Sequence, residues 1–431
     1  MEGRSVHIPD GYLNPAFSLG LGVVTVPVLA VATRKVQDRL DDRTVPLLAV
    51  SSALSFTIMM FNVPVPGGTT AHGVGGTLIA TVLGPWAAAL CVTTALIIQA
   101  FFFGDGGILA LPTNALNMAI ILPFVGYGVY RLLAGRSPTL SMRRVWAAGI
   151  GAYVGISVAA LACGTELGLQ PLWFTDHGRP LYCPYDLSQA VPAMLAAHCF
   201  GASIVEALIT ALGLAYLQQH HPEYLSTALA PEPVAGEVDR AMAWPLWRVL
   251  TVGIGAGIPL LFLAGLLSGH GKLSKLFGAD WSQVSWPDVG AMLVSTAIIA
   301  IVLLPLAWFG LPKRIRPVGM TLTTIAILAP LGLIAPGIAY GEGDPGDIQA
   351  AFGYVPKGMR DLSGLISHPL DGYNVQLPFF NGSSAPLWHQ AIGYEISGIV
   401  GILLLVGVVW GATTVLRHAR AADEASRISL P

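Results

Sequence analysis

Charge is what this sequence has least of. Only 11% of its 431 residues are Asp, Glu, Lys or Arg, where an ordinary soluble domain carries about 25%. Hydrophobic residues make up 54%, too many for a solvated surface over a chain of this length. The formal net charge is −2, and no basic stripe interleaved with aromatics points to nucleic acid as a partner. Cysteine is scarce as well. Cys91, Cys163, Cys183 and Cys199 show no CxxC spacing, which argues against a structural zinc or a redox pair. The hydrolase signatures HExxH and GxSxG are missing. So is a Walker A loop: the nearest approach, Gly271-Lys272-Leu273, has Leu266 where the first glycine belongs and no Ser or Thr after the lysine. Met1 to Leu13 is polar and lacks the apolar core of a cleavable signal.

What is present is a series of long apolar runs, the pattern of a polytopic membrane protein. The runs predict an all-α fold with about seven helices in an N-terminal unit: Phe17 to Thr33, Val45 to Phe61, Gly73 to Leu83, Trp86 to Phe103, Ile108 to Leu132, Val145 to Cys163 and Ser188 to Leu217. Arg34, Lys35, Arg39 and Arg43 follow the first run, and Arg131, Arg136, Arg143 and Arg144 follow the fifth. The positive-inside rule puts both clusters in the cytoplasm and the N-terminus outside, in a cell inner (plasma) membrane. Residues 222–244 carry Pro231, Pro233 and mixed charge, and read as a linker. Four more helices are expected after it: Trp247 to Leu267, Val289 to Phe309, Val318 to Ala339 and Glu395 to Leu416. The stretch from Tyr340 to Tyr394 is long for a loop, a length associated with function or mobility.

Between the second and third runs lies Asn62 to Gly76, NVPVPGGTTAHGVGG. Its prolines and glycines exclude regular helix. Non-helical backbone at membrane depth survives only where protein buries it or where it lines a polar cavity. His72 stands in the middle of it. A lone histidine there suits a hydrogen-bonded structural role, but His7 falls on the same external side. Two neutral imidazoles can share a divalent ion of the nickel, copper, zinc or cobalt type. Backbone or terminal nitrogens would have to complete the set, and four nitrogens in a plane favour nickel(II) or copper(II).

Three stretches, HIPDGYL from His7, GGTTAHGVGG from Gly67 and QAFFFGDGG from Gln99, resemble the CbiM/NikM family. Its members are substrate-binding components of energy-coupling-factor importers for cobalt or nickel. The resemblance covers about Val6 to Leu217 and includes MLAAHCFGASIVEALIT from Met194. It implies that the cargo is held by a terminal amine, by the amide nitrogen and ring of His7, and by the ring of His72. The family places its first histidine second in the chain, whereas here it is seventh. A start at Val6, through a GUG codon read as Met, or removal or bypass of Met1 to Ser5, would restore that spacing; the other alternative is a different fourth ligand. The resemblance implies cobalt(II) or nickel(II) as cargo, no resident cofactor, and separate ATPase subunits with a coupling transmembrane (T) subunit. It also implies proton release on binding and weaker uptake below about pH 6, since imidazoles protonate near 6.5.

Other polar residues fill supporting roles in this reading. Asp10 and Asp105 either orient the ligand loops or act as turn and cap residues. Gln99, Asn114 and Asn117 are candidate hydrogen-bond partners of the ligating rings. His198 and Glu206 lie eight apart within an apolar run and are intramembrane candidates by default. Their distance from the ligand loops in sequence favours helix or partner contact. Cys163 and Cys183 border one external loop, which leaves a disulfide open. The C-terminal helix–loop–helix resembles the two-helix CbiN/NikN component, which assists metal loading. The component's PDGLE-like motif is reduced to Val355-Pro356-Lys357-Gly358-Met359-Arg360, which has lost the acids. The expected division is 1–221 metal-capturing unit, 222–244 cytoplasmic linker, 245–316 two additional helices, and 317–431 CbiN/NikN-like unit. Two rival classes remain: a membrane metalloenzyme, and an ATP-independent secondary metal transporter, whose repeated halves are not visible here.

Overall fold

A computed structural model describes residues 7–41, 44–65, 69–225, 285–310, 316–334, 341, 343–375 and 386–428. The expected helix Trp247 to Leu267, most of the linker and the segment before His7 lie outside the described residues.

All seven N-terminal runs are helical: α1 Pro15–Gln37, α2 Thr44–Met59, α3 Gly76–Leu83, α4 Pro85–Phe103, α5 Leu111–Ala134, α6 Met142–Gly168 and α7 Leu187–His220. Local chemistry sets their ends. Asn14 caps α1, its Oδ1 accepting from Ala16 and Phe17 N–H, with Pro15 in the first turn. Arg34 and Lys35 sit in the last turn of α1, where the helix dipole favours them. Gly84, with φ 85°, and Pro85 make the sharp reversal from α3 to α4. Asp186 caps α7 by accepting from Gln189 N–H. Small residues bring α5 and α6 close: a Cβ on Gly151 would meet the Gly126 carbonyl, and one on Gly155 the Leu122 carbonyl.

Three of the long helices are interrupted by a π-helical turn, at Gln99–Phe103, Ala115–Ile121 and His198–Ala202. Such turns leave carbonyls without their usual partner and recur at functional sites. The proline- and glycine-rich stretch after α2 forms a small antiparallel hairpin, β1 Val63–Val65 with β2 Thr69–Ala71. Val65 fills the space a side chain on Gly201 would need, which seats the hairpin on the π turn of α7.

The C-terminal part has α8 Trp286–Gly310, α9 Arg316–Leu328, two short helices, α10 Pro345–Phe352 and α11 Lys357–Leu362, and α12 Leu387–Ile428. It differs from expectation in three places. Regular helix in α9 ends at Leu328 and continues as a 3-10 turn, Ala329–Ile334, that contains Pro330. The stretch expected as a long loop holds α10, whose start is a reciprocal capping box of Asp344 and Asp347, and α11. α12 begins eight residues earlier than expected, at Leu387 rather than Glu395. α12 lies along α2, with Gly401 against the Phe56 ring and Gly398 against Met60. Seven of the described helices are long and apolar enough to cross a membrane. Leu19, Val23 and Val26 on α1 and Ile301, Leu306 and Phe309 on α8 are exposed, as lipid-facing side chains are.

Candidate metal centre

The segment from His7 to Asn14 is a strap stitched across one end of α4, α5 and α6. Gly107 N–H donates to the Ile8 carbonyl at 2.9 Å, and Asn114 Nδ2 donates to the same oxygen at 3.1 Å. The Asp10 carboxylate accepts from Leu109 N–H at 2.9 Å and Ile108 N–H at 3.2 Å. Burial pushes that carboxyl above its ordinary value, and the backbone N–H groups partly offset the rise. Asp10 therefore builds the turn, its carboxyl engaged by backbone N–H groups. Gly107 has to be glycine, because a Cβ would fall on the Asp10 backbone and carboxyl. Tyr12 closes the strap, with its carbonyl accepting from Cys183 N–H and its hydroxyl donating to the Gly343 carbonyl at 2.8 Å.

This stitching delivers His7 into the interior, 3% exposed. Its Nδ1 lies 3.1 Å from Asp105 Oδ1 and 3.4 Å from the Asp105 carbonyl. A carboxylate on one ring nitrogen fixes the tautomer and turns the other toward a ligand, the arrangement usual for metal-bound histidines. Asp105 is held in turn. Its N–H donates to the Gln99 carbonyl in the π turn of α4, Gln99 Nε2 donates to its Oδ2 at 3.3 Å, and the Tyr373 hydroxyl donates to the same oxygen. Burial first, and then the Asp105 charge, push the Tyr373 phenol well above its ordinary value, so it stays a donor.

His72 meets His7 edge to face, with ring centroids 5.2 Å apart and planes at 82°. Its Nδ1 is 2.9 Å from the Gly73 carbonyl. With metal–nitrogen distances near 2.1 Å, each centroid would stand about 3.2 Å from a shared ion, so the pair would subtend roughly 110° there. A planar cis arrangement would draw the centroids to about 4.5 Å, a small closure for rings on a loop and a strap. A chelate through the amide and ring of the same histidine needs Nδ1, the nitrogen that closes a six-membered ring. In this structure Nδ1 faces Asp105, so that chelate requires the His7 ring to turn about Cβ–Cγ.

The distance of His198 and Glu206 from the ligand loops in sequence favours a role in helix contacts, but the fold brings both to the His72 loop. Glu206 Oε2 accepts from Val74 N–H at 2.7 Å and Gly75 N–H at 2.8 Å, which caps α3 in place of a local side chain. His198 opens the π turn of α7, with its Nδ1 2.9 Å from the Met194 carbonyl. It joins His7, His72, Asn114, Asn117 and Met194 around a cavity of about 80 Å³. Asn117 Nδ2 donates to Glu166 at 2.6 Å, so it serves a second buried carboxylate. Sequence reasoning passed over Glu166 and Tyr373. An acid within an apolar run was the available signal for the first. The repeat of Asp10-Gly11-Tyr12 as Asp371-Gly372-Tyr373 was the signal for the second.

All four cysteines are free thiols, so Cys163 and Cys183 are not bridged. Burial pushes the Cys183 thiol up to about 12. Among the described residues no three His, Cys, Asp or Glu side chains converge as a metal site. The candidate centre is thus an imidazole pair, with its remaining donors to come from backbone, terminus or water.

The chain has relatives among known proteins. Residues 7–224 match the CbiM family, described as a cobalt uptake substrate-specific transmembrane region. The chain is similar to the fused nickel transport protein NikMN of Rhodobacter capsulatus, 39% identical over 343 residues that cover 72% of this chain and 98% of that one. It is similar also to a probable fused nickel transport protein, LarMN of Lactiplantibacillus plantarum, 47% identical over 263 residues, 60% of this chain and 75% of that one. A crystal structure described as a truncated transition metal transporter is 57% identical, with a TM-score of 0.47, covering 50% of this chain and 99% of that one. The chain belongs to the CbiM family, and it carries beyond that region a C-terminal extension like that of the fused NikMN proteins.

Proposed function

We propose that this protein captures cobalt(II) or nickel(II) at the outer face of the cell membrane, as the substrate-binding component of an energy-coupling-factor importer. The observation that carries the reading is the imidazole pair. His7 and His72 come from segments 65 positions apart and meet 5.2 Å apart between centroids, each beside a braced backbone turn. Nδ1 of His7 faces Asp105, and a chelate through the His7 amide and ring turns that ring about Cβ–Cγ to bring Nδ1 to the ion. Backbone or terminal nitrogens at or before His7 complete the set. In this reading residues 1–221 form the capturing unit and 317–431 the CbiN/NikN-like unit, with the linker at 222–244 and two helices in 245–316 between them. ATP hydrolysis falls to separate ATPase subunits, and a coupling transmembrane subunit transmits it.

The test is radiolabelled nickel and cobalt uptake by cells that carry the chain with its ATPase and coupling subunits. Uptake should be lost when the ATPase subunits are withheld and when His72 is replaced by Ala. Uptake that persists without any ATPase subunit would make this chain a secondary transporter and overturn the importer reading.

A further inference from the structure

One face of α6 carries an exposed stripe. Arg143, Trp146 and Ile150 are exposed and Tyr153 is half-buried, and steps of three and four residues bring them onto the same side of the helix. Beside the stripe, α6 and α7 part to leave an apolar groove of about 270 Å³, lined by Trp146, Gly149, Ile150 and Tyr153 from α6 and by Ala207 and Ala211 from α7. Its floor is made of small residues that already touch: a Cβ on Gly149 would stand 3.2 Å from the Ala211 methyl and 3.3 Å from the Ala207 carbonyl. Tyr153 closes the far end, its hydroxyl donating at 3.0 Å to the Cys199 carbonyl in the π turn of α7.

The near end opens under concentrated positive charge. From Arg131 to Arg144 the chain holds four arginines and no acid. Arg144 turns inward, onto the Tyr130 hydroxyl and the Ser137 carbonyl. Arg143 stays outside. Its Nε donates at 2.8 Å to the Leu133 carbonyl at the end of α5, which fixes the guanidinium and leaves its two Nη groups for a further acceptor. Among the described residues no carboxylate pairs with Arg143 or with the exposed Arg136. A guanidinium so fixed matches the oxygens of a phosphate. It stands one helical turn before Trp146, a residue type that favours headgroup depth. A helix of another membrane subunit is the poorer occupant. Helices that end at an arginine-rich face tend to bring Lys and Arg of their own, whereas an anionic headgroup brings the missing charge.

We propose that this groove is the site of one anionic phospholipid, its phosphate held by Arg143 and one acyl chain laid between α6 and α7, with Arg136 adding charge. From Arg143 to Tyr153 the helix rises about 15 Å, the depth of one leaflet's hydrocarbon, half of about 30 Å. Because Arg143 is tied to α5 and the groove is shared by α6 and α7, the bound lipid clasps three helices. The site is separate from the imidazole pair and stands or falls without it.

The test uses the full chain in detergent, stripped of lipid, and native mass spectrometry after addition of phosphatidylglycerol or of phosphatidylcholine with the same oleoyl chains. The wild type should hold one phosphatidylglycerol about fivefold more tightly than phosphatidylcholine, the preference one arginine near the surface supplies. Phosphatidylglycerol should also raise its unfolding midpoint. Arg143→Gln should abolish the preference, and Arg34→Gln, at the end of α1, should keep it. Ala207→Leu and Ala211→Leu fill the groove from half-buried positions. Each should weaken both lipids about tenfold, the effect of leaving roughly two methylenes outside, with the lipid-free unfolding midpoint near that of the wild type. Equal affinity for the two lipids in the wild type, a preference that survives Arg143→Gln, or wild-type binding in both groove variants would each overturn the proposal. So would displacement of phosphatidylglycerol by millimolar inorganic phosphate, which would assign the arginines to a free anion. Loss of a coupling subunit from the groove variants with lipid binding intact would make the groove a protein contact and overturn it equally.

Discussion

Replacing Glu206 by Ala probes how the fold holds His72. Glu206 is fully buried on α7, and its Oε2 receives the N–H groups of Val74 and Gly75 at 2.7 and 2.8 Å. The two amides lie two and three residues after His72, and no local side chain caps α3. Truncation would leave both donors unsatisfied in a dry interior. Each orphaned group costs about 1–3 kcal/mol, so the loop would lose roughly 2–6 kcal/mol of local support. Part of that loss is relieved when the loop shifts, and the remainder appears as weaker metal binding. A loss of about 10- to 100-fold corresponds to about 1.4–2.7 kcal/mol. Glu206→Gln keeps an acceptor of the same shape, so it should bind less than about tenfold more weakly, since neutral hydrogen bonds are roughly half as strong as charge-assisted ones. The assay is isothermal titration of nickel into each variant, with thermal unfolding measured in parallel. Wild-type affinity in Glu206→Ala would refute the view that this carboxylate braces the loop.

Three further outcomes follow from the same contacts. Gly107→Ala would push the strap off the turn, because the added Cβ falls on Asp10; nickel affinity should fall at least tenfold, an outer-sphere-sized effect, and an unchanged titration would contradict the packing. The Cys183 thiol, with its pKa near 12, is ionised to only about one part in ten thousand at pH 8. Native alkylation should therefore spare it, intact mass should not change on reduction, and rapid labelling of Cys183 before unfolding would contradict its burial. The Asp10 carboxyl is raised from its ordinary 3.8. A carboxyl raised in the folded state favours folding most below that ordinary value, and the contribution fades as pH rises through the raised one. Asp10→Asn should flatten this part of the melting temperature's pH dependence, and identical profiles in the two proteins would refute it.

Much of the membrane architecture could be read from the chain, because lipid-facing and core-facing positions are both apolar and the runs between basic clusters are long. The seven N-terminal helices fall where hydropathy puts them. Helix irregularity was not legible. The π turns at Gln99, Ala115 and His198 leave no local composition signal, yet they aim Gln99, Asn117 and His198 inward. His7 and His72 could be singled out because each sits in a glycine- or proline-marked segment. Glu206 is bonded to Val74, in the His72 loop, across 132 positions. A spacing argument along α7 could relate Glu206 to His198 but not to the His72 loop. Tyr373 was hidden for the same reason, since the loop that carries it becomes part of the site only after α12 packs on α2.

The central claim is that His7 and His72 together hold one transition-metal ion. The most direct measurement is the native mass of the detergent-purified chain after exposure to nickel or cobalt and removal of excess. This account requires one ion per wild-type chain and none on chains carrying His7→Ala or His72→Ala that keep the wild-type melting temperature. A wild-type chain without metal, or an ion retained by His72→Ala, would contradict it.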